Sequence, residues 1–209
     1  MTTTGEKPES GKPQPVTGRT RDLVIFTDKA IFQLAKHWLA LINLIWGLYV
    51  GLPLLAPVLM DAGWTVPAKV IYTIYRPACH QRPERSYFFG GPETVYTVEE
   101  LAAAGVDVDP FARAIGNEQV GWKVAFCERD VAIYGAIFVA GLVYGLVRKR
   151  LKSWRMRFRY FVLFLIPMGL DGVLQLFGVY ESNWLFRTIT GVIFGIGAVF
   201  FAYPYLEEG

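Results

Sequence analysis

The sequence predicts an all-α membrane protein, a polytopic bundle of about four transmembrane helices with a small helical cap on its outer face. Three observations carry this expectation. Of the 209 residues 53% are hydrophobic and only 19% are charged, a balance far from that of a soluble domain of this size. Four stretches are apolar over roughly the length that a hydrocarbon core of about 30 Å demands. The basic residues gather in one loop between two of those stretches, the distribution that membrane topology imposes. The net charge of +3 is small, and the one dense basic run is explained by topology. Nucleic acid is therefore not expected as a partner.

Residues 1–21 are rich in Thr, Gly, Pro and Lys. With almost no large apolar side chain to bury they cannot offset the entropy of ordering, and a flexible tail is expected. Over 22–37 apolar residues (Leu23, Phe26, Ile31, Leu34) recur near helical spacing among charged ones, the mark of an interfacial amphipathic helix. The membrane domain then occupies 38–209. Its first span runs from Trp38 to Met60, apolar apart from Asn43, with Trp38 and Trp64 as interface anchors and Pro53 and Pro57 as sites of a kink. The second span is Val131–Val147, extendable upstream through Val124–Phe126. The third is Tyr160–Val179 and the fourth Thr188–Leu206.

Between the second and third spans stand Arg148, Lys149, Arg150, Lys152, Arg155, Arg157 and Arg159, with no acidic residue among them. The positive-inside rule assigns this loop to the cytoplasm and, with four spans, both termini as well. The loop 61–130 is then outside, and it is too long to lack structure. Its start, Pro67–Tyr75, is apolar but too short to span. Thr97–Glu100 reads as a capping box opening a short helix that Gly105 closes, and Asp109-Pro110 as the start of another.

Few residues can carry chemistry. Cys79 and His80 lie in Arg76-Pro-Ala-Cys-His-Gln-Arg-Pro-Glu-Arg85, and Cys127 lies in Cys-Glu-Arg-Asp130 directly before the second span. Both segments should meet at the outer mouth of the bundle. Three readings stay open: a Cys79–Cys127 disulfide, which the outer compartment favours; a zinc site of Cys79, His80, Cys127 and Asp130; or two buried free thiols. Arg82, Arg85, Arg129 and Arg187 can bind a lipid or quinone headgroup, or form internal salt bridges with the interleaved carboxylates. Asp171 and Gln175, four apart on one face of the third span, are candidate catalytic residues. The alternative is that Asp171 locks the bundle by pairing with Arg187, Thr188 or Thr190. Asn183 suits the N-cap of the last helix. Gly141-x-x-x-Gly145 and Gly191-x-x-x-Gly195 are close-packing faces.

Taken in order, Cys79-His-Gln-Arg-Pro-Glu-Arg-Ser86, Cys127-Glu-Arg-Asp130, Asp171-Gly-Val-Leu-Gln175 and Glu181-Ser-Asn183 with Arg187 resemble the motifs of a family of small prokaryotic polytopic membrane proteins catalogued as a domain of unknown function. The resemblance runs from about Ile71 to Phe200. It implies a clustered Cys/His site and a prokaryotic inner-membrane location. Some members of that family carry a second cysteine where this chain has Asp130, a place where carboxylate can replace thiolate on zinc. The family has no assigned reaction. Two further readings accompany the binding site: an accessory subunit bracing other membrane subunits, and a metal-assisted hydrolase or transferase with Asp171 or Asp130 as base.

The topology is tested by reporter fusions. Fusions after Arg150 and at Gly209 should report cytoplasm and one at Gly105 the outer side; an outer signal from the Arg148–Arg159 loop refutes the arrangement.

Overall fold

The computed structural model describes residues 17–109, 111–151 and 154–208. Most of the expected tail, residues 1–16, thus lies outside the described residues, as do Pro110 and Lys152. The chain divides into two units, Met1–Leu41 and Ile42–Gly209. Helix α1 (Arg19–Asp61) begins in the first and ends in the second. In the first unit its side chains, Leu23, Phe26, Phe32 and Leu34 among them, are exposed.

Among the described residues four helices are long and apolar enough to cross a membrane: α1, α4 (Glu128–Val147), α5 (Phe158–Leu176) and α6 (Trp184–Leu206). Their exposed Leu, Val, Ile and Phe side chains are the surface that meets the lipid bilayer. The core pair is α4 and α6. A Cβ on Gly195 would stand 2.6 Å from the Ile133 carbonyl oxygen, and one on Gly191 2.9 Å from the Ala132 Cβ. The second Gly-x-x-x-Gly face therefore works within the bundle, bringing the α6 backbone onto α4. Helix α5 joins the other side of α6, where Phe164 lies over Gly197. The second-unit part of α1 lies along α4, with Trp46 stacked on Tyr134 at 5.6 Å and Phe138 over Gly47.

The expected upstream extension of the second span does not occur. Helix α4 starts at Glu128 with Cys127 as its N-cap. Val124 and Ala125 instead give their N–H groups to the carbonyls of Tyr87, at 2.7 Å, and Pro53, at 3.2 Å. The second of these bonds has a covalent origin. Pro57 has no N–H, so the Pro53 carbonyl loses its helical partner, and Ala125 supplies the replacement. Pro53 likewise frees the carbonyl of Tyr49, which accepts from the Tyr75 hydroxyl at 3.0 Å. Both prolines sit inside an uninterrupted α1, and the carbonyls they free are two of the points where residues 62–127 attach.

Those residues form the cap. The apolar stretch too short to span is helix α2 (Thr65–Tyr75); its Ala68, Ile71, Tyr72 and Tyr75 are buried with Ala56, Met60 and Phe126. Helix α3 (Val98–Ala103) has the reciprocal capping box of Thr97 and Glu100. It ends at Gly105 (φ +74°), where the Val106 N–H reaches back to the Leu101 carbonyl at 2.9 Å, the Schellman closure. No helix follows Asp109 among the described residues: its carboxylate accepts from the Phe111 N–H at 2.7 Å, and the chain only turns. The cap also holds a small antiparallel sheet, ordered β1 (Phe88–Phe89), β3 (Gly121–Lys123), β2 (Gly116–Asn117). Strands this short carry no alternating pattern to read. Gly121 (φ +80°) is needed here, because a Cβ would lie 2.3 Å from the Phe89 carbonyl oxygen.

Gly195→Ala should lower the thermal stability of the detergent-solubilised chain by about 1–3 kcal/mol, since the clash is with backbone. An unchanged melting temperature would show that α4 and α6 do not depend on this contact.

Candidate functional site

The cap brings the two cysteine segments together. From α2 the chain turns through Ala78 and Cys79, whose N–H groups both bond the Tyr75 carbonyl at 3.1 Å. Gln81 follows in the left-handed region (φ +53°), an uncommon conformation for a residue with a Cβ. Three bonds hold it there. Its buried amide donates to the carbonyls of Tyr72 and Ala125 at 2.9 and 3.0 Å, and its own carbonyl accepts from Lys123 Nζ. The Gln81 clamp thus ties the His80 side of the site to the strand that leads to Cys127.

Cys79 and Cys127 are both buried and both free thiols. The Cys127 N–H donates to Cys79 Sγ at 3.2 Å, and His80 Nδ1 lies 3.8 Å from the same sulfur. The two sulfurs and a His80 ring nitrogen all fall within 4.8 Å of one another. A hydrogen bond from Cys127 holds the Cys79 thiol well below its usual range. That bond, together with burial, pushes Cys127 up. Asp130, in the first turn of α4, lines the same cavity as both cysteines.

These residues line one wall of a polar cavity of about 290 Å³. Its other walls carry Arg85, Arg129, Arg187 and Gln175. Arg82, expected beside them, is not among the lining residues; it pairs with Glu84. The arginines are also members of ion pairs: Arg85 with Glu181 at 3.2 Å, Arg187 with Glu128 at 3.0 Å, and Arg129 with Asp171. The salt-bridge reading and the pocket reading thus describe the same side chains. The Gln175 amide is satisfied when its oxygen faces Arg85, 3.2 Å from both terminal nitrogens.

Asp171 is buried, at 4% exposure, as the cost of a lone carboxylate in hydrocarbon requires. Its partners differ from those expected on α6. They are Arg129 of α4 and the hydroxyl of Tyr180, just beyond α5. The α6 candidates are otherwise engaged: Arg187 on Glu128, Thr190 on the Phe186 carbonyl at 2.7 Å, and Thr188 on the Trp184 carbonyl and Tyr87. Asp171 does not line the cavity but holds Arg129, which does. Asn183 caps α6 as expected, accepting from the Phe186 N–H at 2.9 Å.

Sequence reasoning missed Gln81 and Lys123. The signal for Lys123 was there, a lone cation in the apolar run Trp122–Phe126. Lys123 is fully buried, and burial lowers its pKa to about 7 from 10.5.

The comparisons bear on the same region. The family described as "Predicted membrane protein (DUF2085)" matches residues 119–201, which contain Cys127, Asp130, Asp171, Gln175 and Arg187 but stop short of Cys79. An uncharacterized protein of Methanocaldococcus jannaschii is 30% identical over 146 residues, 69% of this chain and 74% of its own length. No solved structure matches the chain.

The lowered pKa of Lys123 has a testable sign. Between the folded value of about 7 and the unfolded 10.5, the unfolded chain binds the extra proton, so raising the pH favours folding. Thermal stability of the wild type relative to Lys123→Met should therefore rise from about pH 7 to about pH 9. A difference that stays flat or falls over that range refutes the buried, half-neutral lysine.

Proposed function

This chain belongs to that family of predicted membrane proteins, and from that premise we propose that its polar cavity is a metal centre at the outer membrane interface, open to a headgroup through its arginine wall. The observation that carries the reading is the cluster of Cys79, His80 and Cys127, two free thiols and an imidazole within 4.8 Å. Two sulfurs and a nitrogen suit zinc, whose bonds of about 2.0–2.3 Å are reached by small side-chain adjustments from this spacing. The Cys127 N–H on Cys79 Sγ supports it, since a donor on a thiolate orients the ligand and stabilises its charge. Asp130 lies outside that 4.8 Å group but lines the same cavity, and it is the carboxylate we assign to a fourth position after a side-chain adjustment.

The arginines supply the second half of the reading. A lipid or quinone headgroup presents oxygen acceptors, and guanidinium groups match them bidentately. Arg85, Arg129 and Arg187 are fixed by their carboxylate partners and need little ordering on binding. The charge of the Arg148–Arg159 loop, by the positive-inside rule, turns the cavity outward and puts both termini in the cytoplasm of a prokaryotic cell.

Elemental analysis of the chain purified without chelator, beside a thiol count under non-reducing conditions, tests the centre. About one zinc per chain with both thiols unoxidised is expected, falling at least tenfold in occupancy in Cys127→Ser. A metal-free protein with Cys79 and Cys127 joined as a disulfide overturns the proposal.

A further inference from the structure

A second cavity, of about 550 Å³, shares Arg187 with the first, is lined by both members of the Glu128–Arg187 ion pair, and is built of acid. Six glutamates line it, residues 84, 93, 99, 100, 128 and 181, against one arginine, Arg187. Acidity alone is no site, but two of the six are not solvated surface groups. Glu128 is fully buried and the Glu84 side chain is 7% exposed. Each has one carboxylate oxygen committed, Glu128 Oε2 to Arg187 and Glu84 Oε1 to Arg82. Of these oxygens only Glu128 Oε2 accepts a hydrogen bond; Glu128 Oε1 and both Glu84 oxygens are buried and have no hydrogen-bond donor among the described residues. A buried carboxylate oxygen without a donor is costly.

We propose that this cavity binds an organic cation through a primary ammonium group that donates to Glu84 and Glu128. An ammonium has three N–H donors and the charge to match. A single divalent ion is a poorer fit: among the described residues, no three carboxylates here bring oxygens within an ion's reach, and the one such group is Cys79, His80 and Cys127. The volume suits a small molecule, and Tyr96 and Trp184 offer aromatic walls to its alkyl part. Glu93 and Glu99 on the rim add the field that draws a cation in. The inference stands apart from the metal centre, which uses none of these carboxylates.

The ammonium can come from a free amine or from an aminophospholipid headgroup. Calorimetric titration of the full chain in detergent with ethanolamine, against choline at equal ionic strength, tests the shared chemistry, because choline has the charge but no N–H. Saturable ethanolamine binding at least tenfold tighter than choline is expected, weakened about tenfold in Glu84→Gln. Should Glu84→Gln fail to fold, the rim double variant Glu93→Gln/Glu99→Gln should weaken binding about two- to threefold through the lost field. Displacement of ethanolamine in nanodiscs of phosphatidylethanolamine but not phosphatidylglycerol marks the lipid as the source, and no displacement marks a soluble amine. Equal binding of choline and ethanolamine, no saturable binding of either, or wild-type affinity in the folded variants overturns the proposal.

Discussion

Within hydrocarbon every backbone carbonyl needs a donor, and Pro53 and Pro57 deprive α1 of two of them. The Tyr49 carbonyl is answered by the Tyr75 hydroxyl and the Pro53 carbonyl by the Ala125 N–H. Tyr75 precedes Cys79 by one helical turn and its carbonyl receives the Cys79 N–H; Ala125 precedes Cys127 by two residues. Two of the points where the cap is pinned to the bundle are thus in the two chain segments that carry the thiols. A defect in one helix sets the geometry of the site.

The charged groups follow a similar economy. Glu128, Arg129 and Asp130 open α4 in consecutive positions, so their side chains leave the helix about 100° apart. One turns to Arg187 of α6, the next to Asp171 of α5, and the third to the cysteines. A single turn of helix therefore connects α5, α6 and the cavity. The buried pairs are weak evidence for stability in themselves, since desolvation offsets much of their attraction. Their consequence is positional: Arg129 and Arg187 are held where they line the cavity, and Arg187 lines the acidic one as well.

Gln81 shows what the site demands of the backbone. A left-handed conformation with a Cβ is disfavoured, and here it is over-determined by two hydrogen bonds from the side-chain amide and one from the buried Lys123 Nζ. Strain of this kind persists only where the surroundings fix it. Its location, directly after His80, places it where the imidazole must be aimed at the sulfurs.

By itself the sequence determined the elements that depend on local chemistry. The four spans follow from apolar length, the start of α6 from the Asn183 cap, and α3 from the Thr97–Glu100 box and Gly105. The burial of Asp171 follows from the cost of a lone charge in lipid. Tertiary structure decided what depends on residues distant in the chain. The partner of Asp171 is Arg129 and not an α6 side chain, because α5 presents it toward the first turn of α4. Strand β1 joins the sheet only by pairing with β3 across more than 30 residues, whereas β2 and β3 form a local hairpin, and β3 takes Val124–Phe126 away from α4. The proximity of Cys79 and Cys127 likewise required the cap to be folded onto the carbonyls of α1. No periodicity encodes such a contact, because the free energy that makes it belongs to groups brought together only by the fold.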